Sequence, residues 1–322
     1  MISNEIELKF EINTNDIASL KYYLEQWADC DEAEFSAISS ALSPTKRSFT
    51  KQNLTNTYYD TSDYYLRNHG CGLRVRGCED SSLVKRFEIT LKRDKKSIAG
   101  LHERAEFNVD LPDSVPDLTV LPCHALPNGG DIAELQRDLR PLFTTNFERQ
   151  VWLVSFASSE IEVALDQGQI SSNNQSIPIK EVELEIKQGN KHDLFNFAIE
   201  LSRFNLHLFS QSKASRGYRL LNNLALKKCD YAFSSQCDLP KLLEFWQQNE
   251  EYALEVDDLA YYKQTLNQVN DQLTNKLLSN EPEFVQWQAA LLSISSLKAF
   301  AFSEINTKLK LMLVVEMNKT NI

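Results

Sequence analysis

Residues 5–9 read Glu-Ile-Glu-Leu-Lys. On a strand, the side-chain period of two puts Glu5, Glu7 and Lys9 on one face and Ile6, Leu8 and Phe10 on the other. One such strand needs nothing more than a solvated charged face to explain it. The same design recurs, however. Arg74 and Arg76 share a face against Leu73 and Val75. Glu88, Thr90 and Lys92 oppose Ile89 and Leu91, and His102, Arg104 and Glu106 oppose Ala105, Phe107 and Val109. Glu162, Ala164 and Asp166 oppose Ile161, Val163 and Leu165. Glu181, Glu183, Glu185 and Lys187 oppose Val182, Leu184 and Ile186.

Ordinary solvated faces mix Thr, Ser, Gln and Asn with charges, whereas these are mostly ionic. Arginines two residues apart repel unless counter-charges lie near. A closed antiparallel barrel with its charged faces inward supplies them and buries the apolar faces outside, under helices. Guanidinium forks suit phosphate. Carboxylates suit Mg²⁺ or Mn²⁺, which take oxygen ligands and bridge to phosphate. Metal and polyphosphate would then share one tunnel.

The elements that must carry these faces follow from local signals. Asn15 and Asp16 start a helix over 16–29, with Ile17, Leu20 and Leu24 in helical spacing. Residues 30–53, with Pro44 and Lys46-Arg47, read as connection. Strands are expected at 55–60, 73–76, 86–93 and 101–110. Gly77–Ser82 reads as a turn and Lys95–Gly100 as a link, which makes an antiparallel meander. Residues 111–130 are loop, and Asp131–Phe143 is helical up to Pro141. Strands follow at 147–157, 160–166 and 178–187, with Gln167-Gly168 and Ser171–Ser176 as turn signals. His192–Phe204 is an amphipathic helix burying Leu194, Phe195, Ala198, Leu201 and Ser202. From Asp238 on, the pattern is helical: Leu242, Leu243 and Trp246, then Tyr252, Leu259, Tyr262 and Leu266, then Val285, Ala289, Leu292 and Leu297. A domain boundary falls near 228–238.

The totals bound the function. The 322 residues, 42% hydrophobic and 25% charged, suit two domains or one large one. A net charge of −11 argues against broad nucleic-acid or membrane docking. Cys30, Cys71, Cys78, Cys123, Cys229 and Cys237 form no CxxC pair and no zinc spacing, so reduced thiols are expected. Glutamates at 5 and 7 occupy the place of a signal peptide's apolar core, and a cytoplasmic home follows.

The chain resembles the CYTH superfamily, the triphosphate tunnel metalloenzymes. The resemblance rests on the Glu-x-Glu-x-Lys of 5–9 and runs to about residue 222. Its further motifs are Tyr58-Tyr59-Asp60-Thr61, Leu73-Arg74-Val75-Arg76, Thr90-Leu91-Lys92, Arg104-Ala105-Glu106, Phe147–Trp152, Ala164–Gly168, Glu183-Leu184-Glu185 and Ser212–Tyr218. Residues 142–149 with Ser-Lys-x-x-Arg-Gly-Tyr look most like the bacterial inorganic triphosphatases of that family. The resemblance implies an α+β fold: a tunnel of about eight antiparallel strands with helices outside (1–228), and an all-α C-terminal region (229–322). It implies metal-dependent cleavage of inorganic triphosphate to diphosphate and phosphate, with two Mg²⁺ or Mn²⁺ ions. Glu5, Glu7, Glu183, Glu185 and Asp166 would hold metal. Lys9, Arg74, Arg76, Lys92, Arg104, Arg149 and Lys213 would bind phosphate, with Arg216 a ligand or a brace for the Lys213 loop. Lys9, Glu7, Arg76 and Lys213 would carry catalysis. Glu106 and Glu162 would orient arginines or hold a second metal.

Other polar residues have plainer explanations. Glu181 and Lys187, at strand ends, read as solvated. Glu103 has the wrong parity and is expected exposed or on a bulge, His102 reads as structural, Tyr58 and Tyr59 as barrel packing, and Trp152 as jacket. Relatives of this type often carry a helical CHAD domain rich in His, Lys and Arg. Residues 230–322 depart from that, with no His or Arg and an acidic balance. They read as a reduced appendage that packs on the barrel or on a second copy, as in a homodimer. Competing readings are a thiamine triphosphatase, a class IV type adenylate cyclase and a non-catalytic polyphosphate-binding module. Intact carboxylates argue against simple anion capture.

Overall fold

The computed structural model describes residues 2–29, 49–79, 85–98, 100–127, 131–231, 233, 238–275 and 281–319. Most of the expected connection at 30–53, with Pro44 and Lys46-Arg47, lies outside them, as do Cys30, Cys237 and parts of the turn at 77–82, the link at 95–100, the loop at 111–130 and the boundary at 228–238.

The strands are β1 (Ile2–Ile12), β2 (Phe49–Asp60), β3 (Cys71–Glu79), β4 (Lys85–Ile98), β5 (Leu101–Leu111), β6 (Arg140–Phe156), β7 (Ser159–Ser172), β8 (Gln175–Gln188) and β9 (Leu206–Leu208). They form one sheet in the order β5-β4-β3-β2-β6-β7-β8-β1-β9, and a β5–β1 pairing closes it. β1 to β8 are thus a closed antiparallel barrel. β9 pairs with the far end of β1, at Phe10–Ile12, beyond the reach of β5.

The strands run longer than the local signals suggest. Phe49–Asn53 belong to β2, Gly77–Glu79 to β3, and β4 continues to Ile98 past a register shift at Asp94/Lys96. Gly168 is not a turn but a mid-strand residue of β7. A Cβ there would lie 2.1 Å from the Asn146 carbonyl, so the glycine permits close approach of β6. The turn lies at Asn173 and Asn174, both left-handed. Pro141 sits in β6, opposite Tyr59 at an irregularity where its missing N–H is tolerated.

Helices α1 (Ile17–Asp29) and α4 (Lys191–Leu201) lie outside the barrel; α2 (Tyr65–Asn68) and α3 (Ile132–Asp138) are short, and α5 (Lys213–Leu221) crosses one barrel end. The expected face of α4 is buried, Ser202 included. The C-terminal helices are α6 (Leu239–Val256), α7 (Leu259–Asn275), α8 (Pro282–Leu291), α9 (Leu297–Ala301) and α10 (Glu304–Lys319). They pack on the barrel: one apolar cluster joins Leu8, Phe10, Trp152, Val163 and Leu184 to Leu20, Phe195, Trp246, Tyr262 and Trp287. Trp246 and Trp287 meet edge to face at 5.2 Å, worth about 0.5–1.5 kcal/mol beyond burial. This pairing decides which side of α8 turns inward. Phe284 and Trp287 are buried, while Val285, Ala289 and Leu292, expected on the inner face, are exposed. A second cluster covers β3–β5 with Leu118, Leu121, Leu126 and Leu135 from the long loop and α3.

Candidate active site: the charged tunnel

Register brings the charges together. Glu5 stands opposite Arg104, and Glu7 opposite His102 on β5 and Glu185 on β8. Lys9 faces Glu183, Glu162 faces Glu185, and Asp166 faces both Arg149 and Glu181. Arg74 faces Tyr58 and Thr90, Arg76 faces Asn56 and Glu88, and Lys92 faces Glu106. One parity of every strand turns inward, so these side chains meet around a cavity of about 750 Å³ in which Lys and Arg outnumber acids. At the end crossed by α5, Leu54, Tyr58, Phe143, Phe147, Ile170, Ile179 and Tyr218 form an apolar cluster. Gly217 lets the helix sit down on Phe143, since a Cβ there would lie 2.0 Å from its ring.

The charges sort into three groups. In the first, Asp166, Glu181 and Glu183 bring carboxylate oxygens within 4.8 Å of one another. Cations surround them. Lys213 Nζ lies 2.7, 2.6 and 2.9 Å from Asp166, Glu181 and Glu183. Arg149 holds Asp166 and, at 2.6 Å, Glu183; Lys9 donates to Glu183. Arg216 pairs with Glu181 at 2.6 Å and also donates to the Pro178 carbonyl. Burial alone would raise the Glu183 carboxyl, but Lys213, Lys9 and Arg149 hold it well below its ordinary value. Glu181, expected at a strand end in solvent, lies in the middle of β8 and is fully buried, because α5 brings Lys213 and Arg216 over it.

In the second group, Glu5, Glu7, Glu162 and Glu185 gather, and the cations are spread more thinly over four carboxylates. Lys92 Nζ lies 2.7 Å from both oxygens of Glu5. Glu7 has Arg104 at 3.6 Å and Lys9 at 4.0 Å. Burial pushes the Glu7 carboxyl up despite Lys9, and Glu5 and Glu183 add to the push. Burial, with Glu5 and Glu162, raises Glu185 to about 7 in spite of Lys187 at 2.8 Å. Lys92 holds Glu5 below its ordinary value against burial, but Glu7 and Glu185 are short of positive charge and fit a divalent cation, which would supply what the side chains lack.

The third group is cationic. Arg76 is lowered to about 9 by burial and by Arg74 and Arg149, so it remains charged at neutral pH while its neighbours repel it. Its Nε donates to Asn56 at 2.8 Å. Arg74 has Glu106 at 3.6 Å. Crowded guanidiniums of this kind favour an anion with several oxygens.

Most of the site residues anticipated from sequence line the one cavity. Asp166 and Arg216 do not: Arg149 and Lys213 cover the first, and the second reaches from α5 to Glu181 and the Pro178 carbonyl of β8. His102 is buried beside the site, its ring kept neutral by burial and by Arg104, whose Nη2 lies 2.7 Å from Nδ1. Trp152 is jacket, as its parity predicts, and Tyr59 packs outside the barrel, but Tyr58, read as packing, lines the cavity. Lys187 is half-exposed and pairs with Glu162 and Glu185, and Glu103 meets Lys191 of α4. Arg67 was not anticipated. It lines the cavity with its guanidinium 4.3 Å over the Tyr218 ring, and Asp60 fixes both partners by accepting from the Arg67 N–H and the Tyr218 hydroxyl.

The CYTH domain model matches residues 31–218. The chain belongs to the CYTH family. The match begins downstream of Glu5–Lys9, yet β1 supplies those residues to the tunnel that the CYTH region forms. An inorganic triphosphatase of Haemophilus influenzae is 37% identical over 225 residues, which are 67% of this chain and 54% of that protein. The chain therefore spans about half the length of that relative. Among solved structures, the Hippeastrum protein HpAC1, described as having a dominant triphosphatase activity, is 14% identical over 69% of this chain and 97% of its own, with a TM-score of 0.41. The PH1819 protein of Pyrococcus horikoshii is 15% identical over 61% and 85%, with a TM-score of 0.36. The CYTH assignment rests on the sequence matches.

Proposed function

We propose that this chain hydrolyses inorganic triphosphate to diphosphate and phosphate, in the presence of Mg²⁺ or Mn²⁺, inside the tunnel. The observation that carries the reading is the pairing of a cation-crowded wall, Arg74, Arg76 and Arg149, with two under-neutralised carboxyls, Glu7 and Glu185, beside the Lys92-paired Glu5 around one cavity. The Haemophilus relative's activity supports it.

Glu5, Glu7 and Glu185 would hold the metal, two ions in this reading, which when bound would neutralise phosphate charge and make a water acidic enough to attack phosphorus. Lys9, Lys92, Arg104 and Lys213 would exchange their carboxylate partners for phosphate oxygens. Arg74, Arg76 and Arg149 would stabilise the transferred phosphoryl and the leaving diphosphate, because their positions are fixed before substrate arrives. Asp166 and Glu183 are read as holders of Arg149, Lys9 and Lys213 rather than direct metal ligands, since those cations already occupy them. Residues 1–228 would form the catalytic domain and 229–322 its helical partner. A cytoplasmic location belongs to the same reading, in which Cys71, Cys78, Cys123 and Cys229 are free thiols.

A substrate panel tests the assignment. Inorganic triphosphate should be cleaved much faster than ATP or thiamine triphosphate. Formation of cyclic AMP and diphosphate from ATP would assign a cyclase instead.

A further inference from the structure

Lys213 enters the tunnel from a stretch that is neither strand nor helix. β9 ends at Leu208 and α5 starts at Lys213, leaving residues 209–212 as a link. Its upstream end is fixed to the barrel: β9 pairs with β1, and the Phe209 N–H donates to the Lys9 carbonyl at 2.9 Å. The rest of the link is held by α6. Gln247, Glu250 and Glu251 stand at i, i+3 and i+4, on one helical face. Gln247 donates to the Leu208 carbonyl. Glu250 lies 2.7 Å from His207 Nε2. Glu251 accepts from the Ser210 N–H at 2.7 Å, from Gln211 Nε2 at 2.9 Å and from Gln247 at 2.8 Å. Arg219 of α5 closes the frame, donating to the Gln211 side-chain oxygen and pairing with Glu255 one turn further along α6.

Glu251 is 5% exposed. Burying a carboxylate is costly unless donors converge on it, and an irregular link must also satisfy its own backbone N–H groups. The Glu251 side chain meets both demands, at Ser210 and Gln211, three and two residues before Lys213. We propose that Glu251 is a positioning residue for Lys213: it fixes the 209–212 link so that the Lys213 ammonium arrives in the tunnel, which makes the C-terminal helical region part of the catalytic apparatus. The inference rests on reading Lys213 as a phosphate ligand.

The test uses the full chain, with kcat and KM for inorganic triphosphate in Mg²⁺ and amide exchange over 209–213. Glu251→Ala should lower kcat/KM by about 10²-fold, as expected for a displaced catalytic group. Glu251→Gln, which keeps an acceptor for the Ser210 N–H, should recover most of the loss. In a Lys213→Ala background Glu251→Ala should cost nothing more, because both changes remove one contribution. Exchange should quicken at 209–213 while the barrel strands stay protected. A wild-type rate in Glu251→Ala, or losses that multiply in the double variant, would overturn the proposal. Should Glu251→Ala not fold, Gln211→Ala carries the same comparison, with a loss of about tenfold that vanishes in the Lys213→Ala background. A loss that persists in that background, or no loss, counts against it. If wild-type protein does not cleave triphosphate, the hydrolase reading falls alone; unchanged exchange at 209–213 in Glu251→Ala would then refute the positioning role.

Discussion

Arg149 and Asp166 stand directly opposite each other across β6 and β7, and the guanidinium holds the carboxylate through two hydrogen bonds of 2.7 and 2.6 Å. Asp166 has no exposed surface left, and Lys213 adds a third contact at 2.7 Å. In the proposed reading, the carboxylate aims these two cations. Asp166→Asn should therefore lower kcat/KM for triphosphate by about 10- to 100-fold while the metal concentration for half-maximal activity stays within about twofold. A metal requirement that rises steeply would return Asp166 to the metal set.

Glu7 makes the opposite case. Burial raises its carboxyl, so it is a strained anion when no dication is near. Glu7→Gln should abolish turnover, by about 10²-fold or more, yet raise the melting temperature by a few degrees in EDTA. Retained turnover would remove Glu7 from the metal set; a lower melting temperature would contradict the charge argument.

Arg76 is under the same kind of strain with the opposite sign, crowded by Arg74 and Arg149. Arg76→Ala should raise KM and lower kcat together, with about a 10²-fold loss in kcat/KM. Unchanged kinetics would place the substrate elsewhere in the tunnel.

His207 links barrel to helices. Burial opposes its charge, but Glu11 and Glu250 raise it to about 9, and Lys310 and His207 hold Glu250 at about 2 against burial. The histidine's contribution is complete below its unfolded value, about 6.5, and is lost as pH rises through 9; that of Glu250 is complete above about 4.5 and is lost toward pH 2. The melting temperature should fall between pH 6.5 and 9 in the wild type, and this fall should flatten in His207→Gln. Parallel curves for the two proteins would show that the pair does not couple docking to pH.

Much of this was legible because period two and ionic inward faces coincide in β1, β3, β4, β5, β7 and β8. The alternation of 181, 183, 185 and 187 even carried Glu181, which strand-end position misassigned to solvent. Partnership was not legible. Nothing local tells Glu183, covered by Lys9, Arg149 and Lys213, from Glu185, which lacks such cover, because those cations come from three distant elements. Gly168 mimics a turn because close strand approach and tight turns both select glycine. β9 is too short to show a period, and its partner on α6 lies some 40 residues away. On α8, the spacing of Val285, Ala289 and Leu292 pointed to the wrong face: Phe284 and Trp287 are the buried residues, and Trp287 meets Trp246.

The central claim is that the chain's own charges assemble a metal-dependent triphosphate hydrolase. The direct measurement is product analysis of purified full-length protein with inorganic triphosphate and Mg²⁺ or Mn²⁺, with and without EDTA. The account predicts one phosphate and one diphosphate per triphosphate consumed, no reaction in EDTA, and none with Glu7→Gln. Tight triphosphate binding without cleavage under every metal condition would contradict it and make the tunnel a binding module.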